Sequence, residues 1–210
     1  MTESRTVLVT GFEPFGGQRV NPALRAVSAL PETVAGARVV TLRVPVTYEE
    51  AVPTVRRAMD AVAPDAIMLV GQAAGRPDVT VERVAINVDD AVAPDNAGTV
   101  RCDTPIRADG PAAYFSTLPV RDMLRAMREA GVPASLSNSA GTYVCNHLMY
   151  GVLDEIARAG GGAIAGFVHV PLLHEQVIAG GDMRGKPSMS PEDIARALTA
   201  AVEAIVRALI

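Results

Sequence analysis

Apolar runs and amphipathic stretches alternate along this chain. Residues 6–10 (TVLVT) and 66–70 (AIMLV) are continuous apolar runs, the pattern of strands covered on both faces. Residues 37–46 and 163–170 (AIAGFVHV) read the same way, and 133–136 is a shorter candidate strand. Between the strands the spacing becomes helical. Leu24, Val27 and Leu30 follow Asn21-Pro22, with Asn as the cap and Pro in the first helical position. Thr47 and Glu50 stand at the spacing of a capping box, and a helix follows to about residue 62, ended by Pro64-Asp65. Residues 119–130 put Val120, Leu124 and Met127 on one face, and 148–159 do so with Leu148, Val152, Leu153 and Ile156. Gly160-Gly161-Gly162 stops that helix, and Ser190 caps a last amphipathic helix to residue 210.

Two segments are less regular. Residues 79–87 alternate like a strand but carry Glu82 and Arg83 inside an apolar run. Neighbours on a strand point to opposite faces, so an edge strand with two solvated charges is the plain reading. Residues 89–111 are polar and read as a long loop or an excursion, which contains Cys102. Strand and helix alternating with buried strands predicts an α/β/α sandwich: a mainly parallel, twisted central sheet with helices on both faces. At 210 residues, one domain over 1–210 is expected.

Composition narrows the function. Apolar residues are 49% and charged residues 20%, as in soluble globular domains. The net charge of −4 gives no basic footprint for nucleic acid. No apolar run reaches the length of a membrane span, and residues 1–5 lack a signal-peptide pattern. The two cysteines, Cys102 and Cys145, make no disulfide framework. A reducing, cytoplasmic setting is expected. No internal repeat or low-complexity segment breaks the pattern.

The most distinctive stretch is residues 137–147, SNSAGTYVCNH. A strand ends, a loop of small polar residues turns, and a helix begins. Cys145 falls at or near the first helical turn, where free N–H groups and the positive dipole end favour an anion. A thiolate is an anion, so this placement is expected to lower the thiol pKa and build a nucleophile. A buried, inert small side chain is the competing reading. A cysteine nucleophile needs a base, and the chain has three histidines. His147 is two positions from Cys145, so the two do not share a helix face. His174 lies beyond the last strand. His169, at a strand's carboxyl end, is best placed, and Cys145 and Glu82 are expected to gather at that same end. No Cys/His cluster has zinc spacing, so no metal is implied.

The loop after the first strand, Gly11-Phe12-Glu13-Pro14-Phe15-Gly16-Gly17, has the glycines of a phosphate cradle but neither a P-loop ending nor dinucleotide spacing. One of its two aromatics is expected to pack in the core. The other suits the wall of an apolar pocket at the strand's carboxyl end.

Together these motifs resemble pyroglutamyl peptidase I (pyrrolidone-carboxylate peptidase), a family of cysteine peptidases. The resemblance rests on Val9-Thr10-Gly11-Phe12 with Pro14-Phe15-Gly16-Gly17 and Asn21-Pro22, and on Gly71-Gln72-Ala73 with Gly75-Arg76. It rests further on Glu82-Arg83-Val84-Ala85-Ile86-Asn87, on the whole stretch 137–147, and on His169-Val170-Pro171, all in the family's order. It implies Cys145 as nucleophile, His169 as base and Glu82 as the group orienting the histidine. Phe12, Phe15 and Tyr143 would wall the lactam ring, while Asn21 and the Gln72 backbone would bond its C=O and N–H. It also implies peptides with N-terminal pyroglutamate as substrates, no metal or cofactor, a cytosolic location and a homo-oligomer, dimer or tetramer. Arg83 has no assigned role, and His174 remains a second candidate for acid–base work.

A reading from another class is a non-catalytic ligand- or nucleotide-binding α/β protein in which Cys145 is a redox-sensing thiol. Turnover of a chromogenic pyroglutamyl amide separates the two.

Overall fold

In the computed structural model, which describes residues 5–210, the central strands are buried on both faces, and their side chains alternate between two apolar layers. The stretch 1–4, on which the signal-peptide reading falls, lies outside the described residues. In chain order the elements are β1 (Thr6–Phe12), α1 (Pro22–Val27), β2 (Thr33–Val34), β3 (Ala37–Val44), α2 (Ala51–Val62), β4 (Ala66–Gln72) and β5 (Val79–Glu82). Then come β6 (Val84–Ile86), β7 (Asp89–Ala91), β8 (Arg101–Thr104), β9 (Ala113–Phe115), α3 (Val120–Glu129), β10 (Ala134–Ser137) and α4 (Val144–Arg158). The chain closes with β11 (Ile164–Val170), β12 (Leu172–Leu173), α5 (His174–Ala179), β13 (Ser188–Met189) and α6 (Pro191–Ala208).

Val7 and Val9 face one layer and Leu8 the other; Met68 and Val70 alternate likewise with Ile67 and Leu69. The first layer is built by α1, α3 and α6, the second by α2 and α4. Continuous apolar strands therefore mean helices on both faces, as the sequence predicts.

The central sheet has seven strands in the order β10-β5-β11-β4-β1-β3-β2. Strands β3, β1, β4 and β11 are mutually parallel. β5 runs antiparallel to β11, β10 is parallel to β5, and β2 is antiparallel to β3. The sheet is mainly parallel with a reversed pair at one side.

Several expectations change here. Residues 79–87 are not an edge strand. β5 lies between β10 and β11, and Glu82 is fully buried. The run breaks at Arg83, whose N–H donates to Ser137 O while its carbonyl accepts from Ser116 N–H. The chain then leaves the sheet to pair β6 with β9. Residues 89–111 are not a plain loop, since β7 and β8 pair antiparallel within them. Their ladders are short and irregular, which is why no period is visible in the sequence. The fourth helix starts at Val144 rather than at 148, so Cys145 lies inside its first turn. The caps read from sequence hold: Asn21 Oδ1 accepts from Ala23 N–H, and Ser190 Oγ from Asp193 N–H. Thr47 Oγ1 accepts from Glu50 N–H, with the helix proper beginning at Ala51.

Candidate active site

The reversed direction of β5 brings a carboxylate beneath a histidine. In the antiparallel register Glu82 stands opposite Phe167 and Thr80 opposite His169. Opposite residues share a face, so Glu82, Phe167 and His169 all point toward the layer that holds α4. They meet at the carboxyl end of β11, as the sequence reading expects. They lie on one face of the sheet because the β5–β11 register sets Glu82 opposite Phe167, two residues from His169.

His169 Nδ1 lies 2.8 Å from Glu82 Oε1, and both side chains are buried. A carboxylate only accepts, so Nδ1 carries the proton and Nε2 keeps its lone pair. Burial holds the His169 pKa below its ordinary value, with the Glu82 carboxylate opposing and the Arg76 guanidinium adding to the lowering. Burial alone would raise the Glu82 pKa, but the hydrogen bonds and charges of His169 and Arg76 outweigh it and hold the carboxyl below the usual range.

Cys145 reaches the same face from above. The β10–α4 loop turns through Gly141 at φ +81°, a left-handed conformation suited to glycine. Ser137 Oγ accepts from Ser139 N–H, and Ser139 Oγ from Gly141 N–H. The thiol then sits over Gly71, the β4 residue in register with His169. A Cβ at Gly71 would lie 3.1 Å from Cys145 Sγ and 2.7 Å from Phe167 Cζ. Only a residue without a side chain leaves that volume to the sulfur. Gly71→Ala is therefore expected to push the thiol and the Phe167 ring apart, at about 1–3 kcal/mol of overpacking. A thermal melt beside kcat/KM checks it, with the rate falling further than the stability loss explains.

Burial pushes the Cys145 pKa up to about 12, with the Glu82 carboxylate adding and Arg76 opposing. This overturns the expectation that the helix terminus lowers it. Partial burial of the sulfur and the nearby Glu82 carboxylate both disfavour the thiolate, against the helix terminus. Burial thus favours the neutral form of both the thiol and the imidazole.

The aromatics divide as expected. Phe12 is core: it is 3% exposed and its ring centroid lies 6.4 Å from that of Phe167, which in turn lies 4.8 Å from His169. Phe15 stays half-exposed, 6.3 Å from the Tyr143 ring. Tyr143 is fixed at its far end, its hydroxyl donating to Pro94 O at 2.9 Å. Asn21 is already engaged. Its carbonyl caps α1 and Nδ2 donates to Glu13 O, leaving one amide hydrogen. Gln72 ends β4, with its side chain accepting from Gln176 Nε2.

The other histidines stand elsewhere. His174 Nδ1 meets Ser188 Oγ at 2.8 Å. His147 Nδ1 meets Asp89 Oδ2 at 2.9 Å, and Arg101 Nη1 donates to the same oxygen. This buried cluster fastens the 89–104 excursion to α4, helped by Thr142 Oγ1 donating to Asp90 O. Sequence reasoning missed Phe167 and the Asp89–His147–Arg101 cluster. It quoted Gly71 and Arg76 in a motif but gave neither a role; here Arg76 bonds Glu82 and Thr80. One signal was present: Thr80 and Glu82 alternate onto one face, so a cation reaching either reaches both. Among the described residues no group of three His, Cys, Asp or Glu side chains could hold a metal ion.

Comparison with known proteins gives a consistent picture. The family model described as pyroglutamyl peptidase matches residues 5–208. A pyrrolidone-carboxylate peptidase of Streptococcus pyogenes is 49% identical over 200 residues, covering 95% of this chain and 92% of the relative. The crystal structure of pyroglutamyl peptidase I from Bacillus amyloliquefaciens superposes with a TM-score of 0.92 at 40% identity, covering 97% of this chain and 98% of that one. A mutant pyrrolidone carboxyl peptidase from the hyperthermophile Pyrococcus furiosus gives a TM-score of 0.93 at 40% identity, covering 98% of this chain and 100% of the other.

Proposed function

The chain belongs to the pyroglutamyl peptidase family of cysteine-type hydrolases, and from that premise we propose that Cys145, His169 and Glu82 remove an N-terminal pyroglutamyl residue from peptides. The observation that carries the assignment is the buried 2.8 Å contact of His169 Nδ1 with Glu82 Oε1, on the face where Cys145 Sγ lies over Gly71.

The mechanism follows from the proton inventory. The thiol gives its proton to His169 Nε2 as the sulfur attacks the pyroglutamyl carbonyl carbon. The thiolate appears only together with an imidazolium, which Glu82 stabilises through Nδ1–H. Free N–H groups of the first turn of α4 hold the oxyanion. The imidazolium then protonates the leaving amine as the C–N bond breaks, leaving a pyroglutamyl thioester on Cys145. A water, deprotonated by His169, attacks that thioester and releases pyroglutamate and the thiol. No step uses a metal or cofactor.

Burial keeps His169 neutral below its ordinary value, so the free-enzyme acid limb is expected below pH 6.5. A pH profile of kcat/KM checks this, and an acid limb well above 6.5 contradicts it.

In the ring pocket, Phe15 and Tyr143 form walls and Phe12 supports Phe167 from beneath. The Gln72 backbone bonds the ring N–H. Asn21 offers its one remaining amide hydrogen to the ring carbonyl. Asn21→Asp keeps the cap oxygen but loses the donor, and should relax pyroglutamyl-over-prolyl discrimination about 5- to 150-fold, the worth of one buried hydrogen bond. An unchanged ratio of kcat/KM values removes Asn21 from the pocket.

One catalytic domain, a cytoplasmic location and a dimer or tetramer belong to the same reading. The family match over 5–208 supports the first; light scattering tests the last. No described helix is long and apolar enough to cross a membrane. Turnover of a chromogenic pyroglutamyl amide tests the function itself, and binding without turnover would favour a redox-sensing thiol instead.

A further inference from the structure

Arg76 lies in the β4–β5 loop, with its side chain 32% exposed. Its Nη1 donates to Glu82 Oε1 and to Thr80 Oγ1, and Nη2 donates to Ser139 O at 3.1 Å. One guanidinium thus joins the carboxylate beneath His169 to the loop that carries Cys145. We propose that Arg76 is a positioning residue for the reaction: it fixes Glu82 Oε1 under His169 and sets the β10–α4 loop, so that thiol, imidazole and carboxylate keep one geometry. This deepens the triad assignment above and rests on it.

Two features argue that a cation is needed here. Glu82 is fully buried and its Oε2 has no hydrogen-bond partner. A buried carboxylate with one oxygen unpaired requires strong donors on the other. His169 alone supplies one neutral donor; Arg76 supplies a charged one, roughly twice as strong. The second feature is the span. A planar guanidinium with several donors reaches Glu82 and Ser139 O at once, which a single ammonium point does not match. The same oxygen-sharing arrangement recurs at Asp89 with Arg101 and His147. There it secures a hairpin. At Glu82 the arginine also touches the loop leading to the thiol, so its geometry feeds into the reaction.

Charge gives a readout that packing alone would not. Glu82 from β5 and Arg76 from the preceding loop are the charged groups bearing on His169, and burial disfavours a charge on the Cys145 thiol of α4. Arg76 opposes the imidazolium and partly neutralises Glu82. Without it, Glu82 acts on His169 unshielded, and the acid limb of kcat/KM should move to higher pH.

The test uses the full chain and a chromogenic pyroglutamyl amide. Arg76→Ala should lower kcat about 10- to 100-fold, the worth of a charged hydrogen bond, with KM nearly unchanged and the acid limb raised. Added ethylguanidinium should restore rate and limb to Arg76→Ala, but restore nothing to Cys145→Ser; urea at equal concentration should not substitute. If Arg76→Ala does not fold, Arg76→Lys serves. It should keep the acid limb, because the charge remains, and still lose kcat, because one ammonium cannot make both contacts. Near-parental kcat in either variant overturns the proposal, as does a loss in Arg76→Ala without change of limb or rescue. A parent protein that does not cleave the amide would sink the peptidase reading itself; a parent that cleaves it alongside an equally active Arg76→Ala would sink this inference alone.

Discussion

Cys145→Ser is expected to fold like the parent and to lose turnover of pyroglutamyl amides by on the order of 10³-fold or more. The side chain is nearly isosteric, and the volume over Gly71 that receives the sulfur accepts an oxygen without strain. Chemistry, not packing, is what changes. A serine hydroxyl ionises far less readily than a thiol, and His169 with its lowered pKa is too weak a base to compensate. The control is Cys102→Ser. Cys102 is exposed, on β8 of the excursion, so its replacement should leave both rate and melting temperature in place. Circular dichroism, a thermal melt and kcat/KM on the two variants check the pair. Near-normal rates from Cys145→Ser would exclude the thioester route.

His169→Ala is expected to cost about 10²- to 10⁴-fold in kcat, the usual worth of general acid–base assistance. The three histidines should separate by phenotype. His169→Ala removes the base and leaves Glu82 paired with Arg76, so the protein stays folded but slow. His147→Ala should act mainly on stability. It strips a partner from the fully buried Asp89, whose Oδ1 is already unpaired, and loosens the excursion that anchors Tyr143. His174→Ala should do little, since its contact is an exposed one with Ser188. Kinetics and melts on the three alanine variants decide it. A rate loss at His174 exceeding that at His169 would mean a different base.

The scaffold was readable because its signals are local and strong. The runs at 6–10 and 66–70 suited strands covered on both faces, and Asn21-Pro22 and Ser190-Pro191 announced their helices through capping chemistry. The site was readable as residue types but not as geometry. Glu82 stood out as a carboxylate in an apolar run, yet nothing local says that β5 runs against β11; strand direction is set by how distant segments pack. That pairing sets the register that delivers Glu82 to His169 at the carboxyl end of β11. Gly71 was visible as part of a motif but not in its role, which depends on the sulfur of Cys145, far later in the chain. The thiol pKa went the other way from expectation for the same reason. The helix terminus is a local feature visible in sequence, whereas burial and the Glu82 carboxylate are tertiary and prevail. The role of Arg76 escaped because a loop arginine carries no periodic signal; only its folding back onto Thr80, Glu82 and Ser139 reveals it.

The central claim is that the pyroglutamyl group passes through a covalent thioester on Cys145. Acid-quenching the parent protein during turnover of an activated pyroglutamyl ester, followed by peptide mapping with mass spectrometry, tests it directly. The account predicts one added pyroglutamyl residue, confined to the peptide containing Cys145 and absent from Cys145→Ser. An adduct on Cys102 or any other residue, or turnover by Cys145→Ser at the parent's rate, would contradict it.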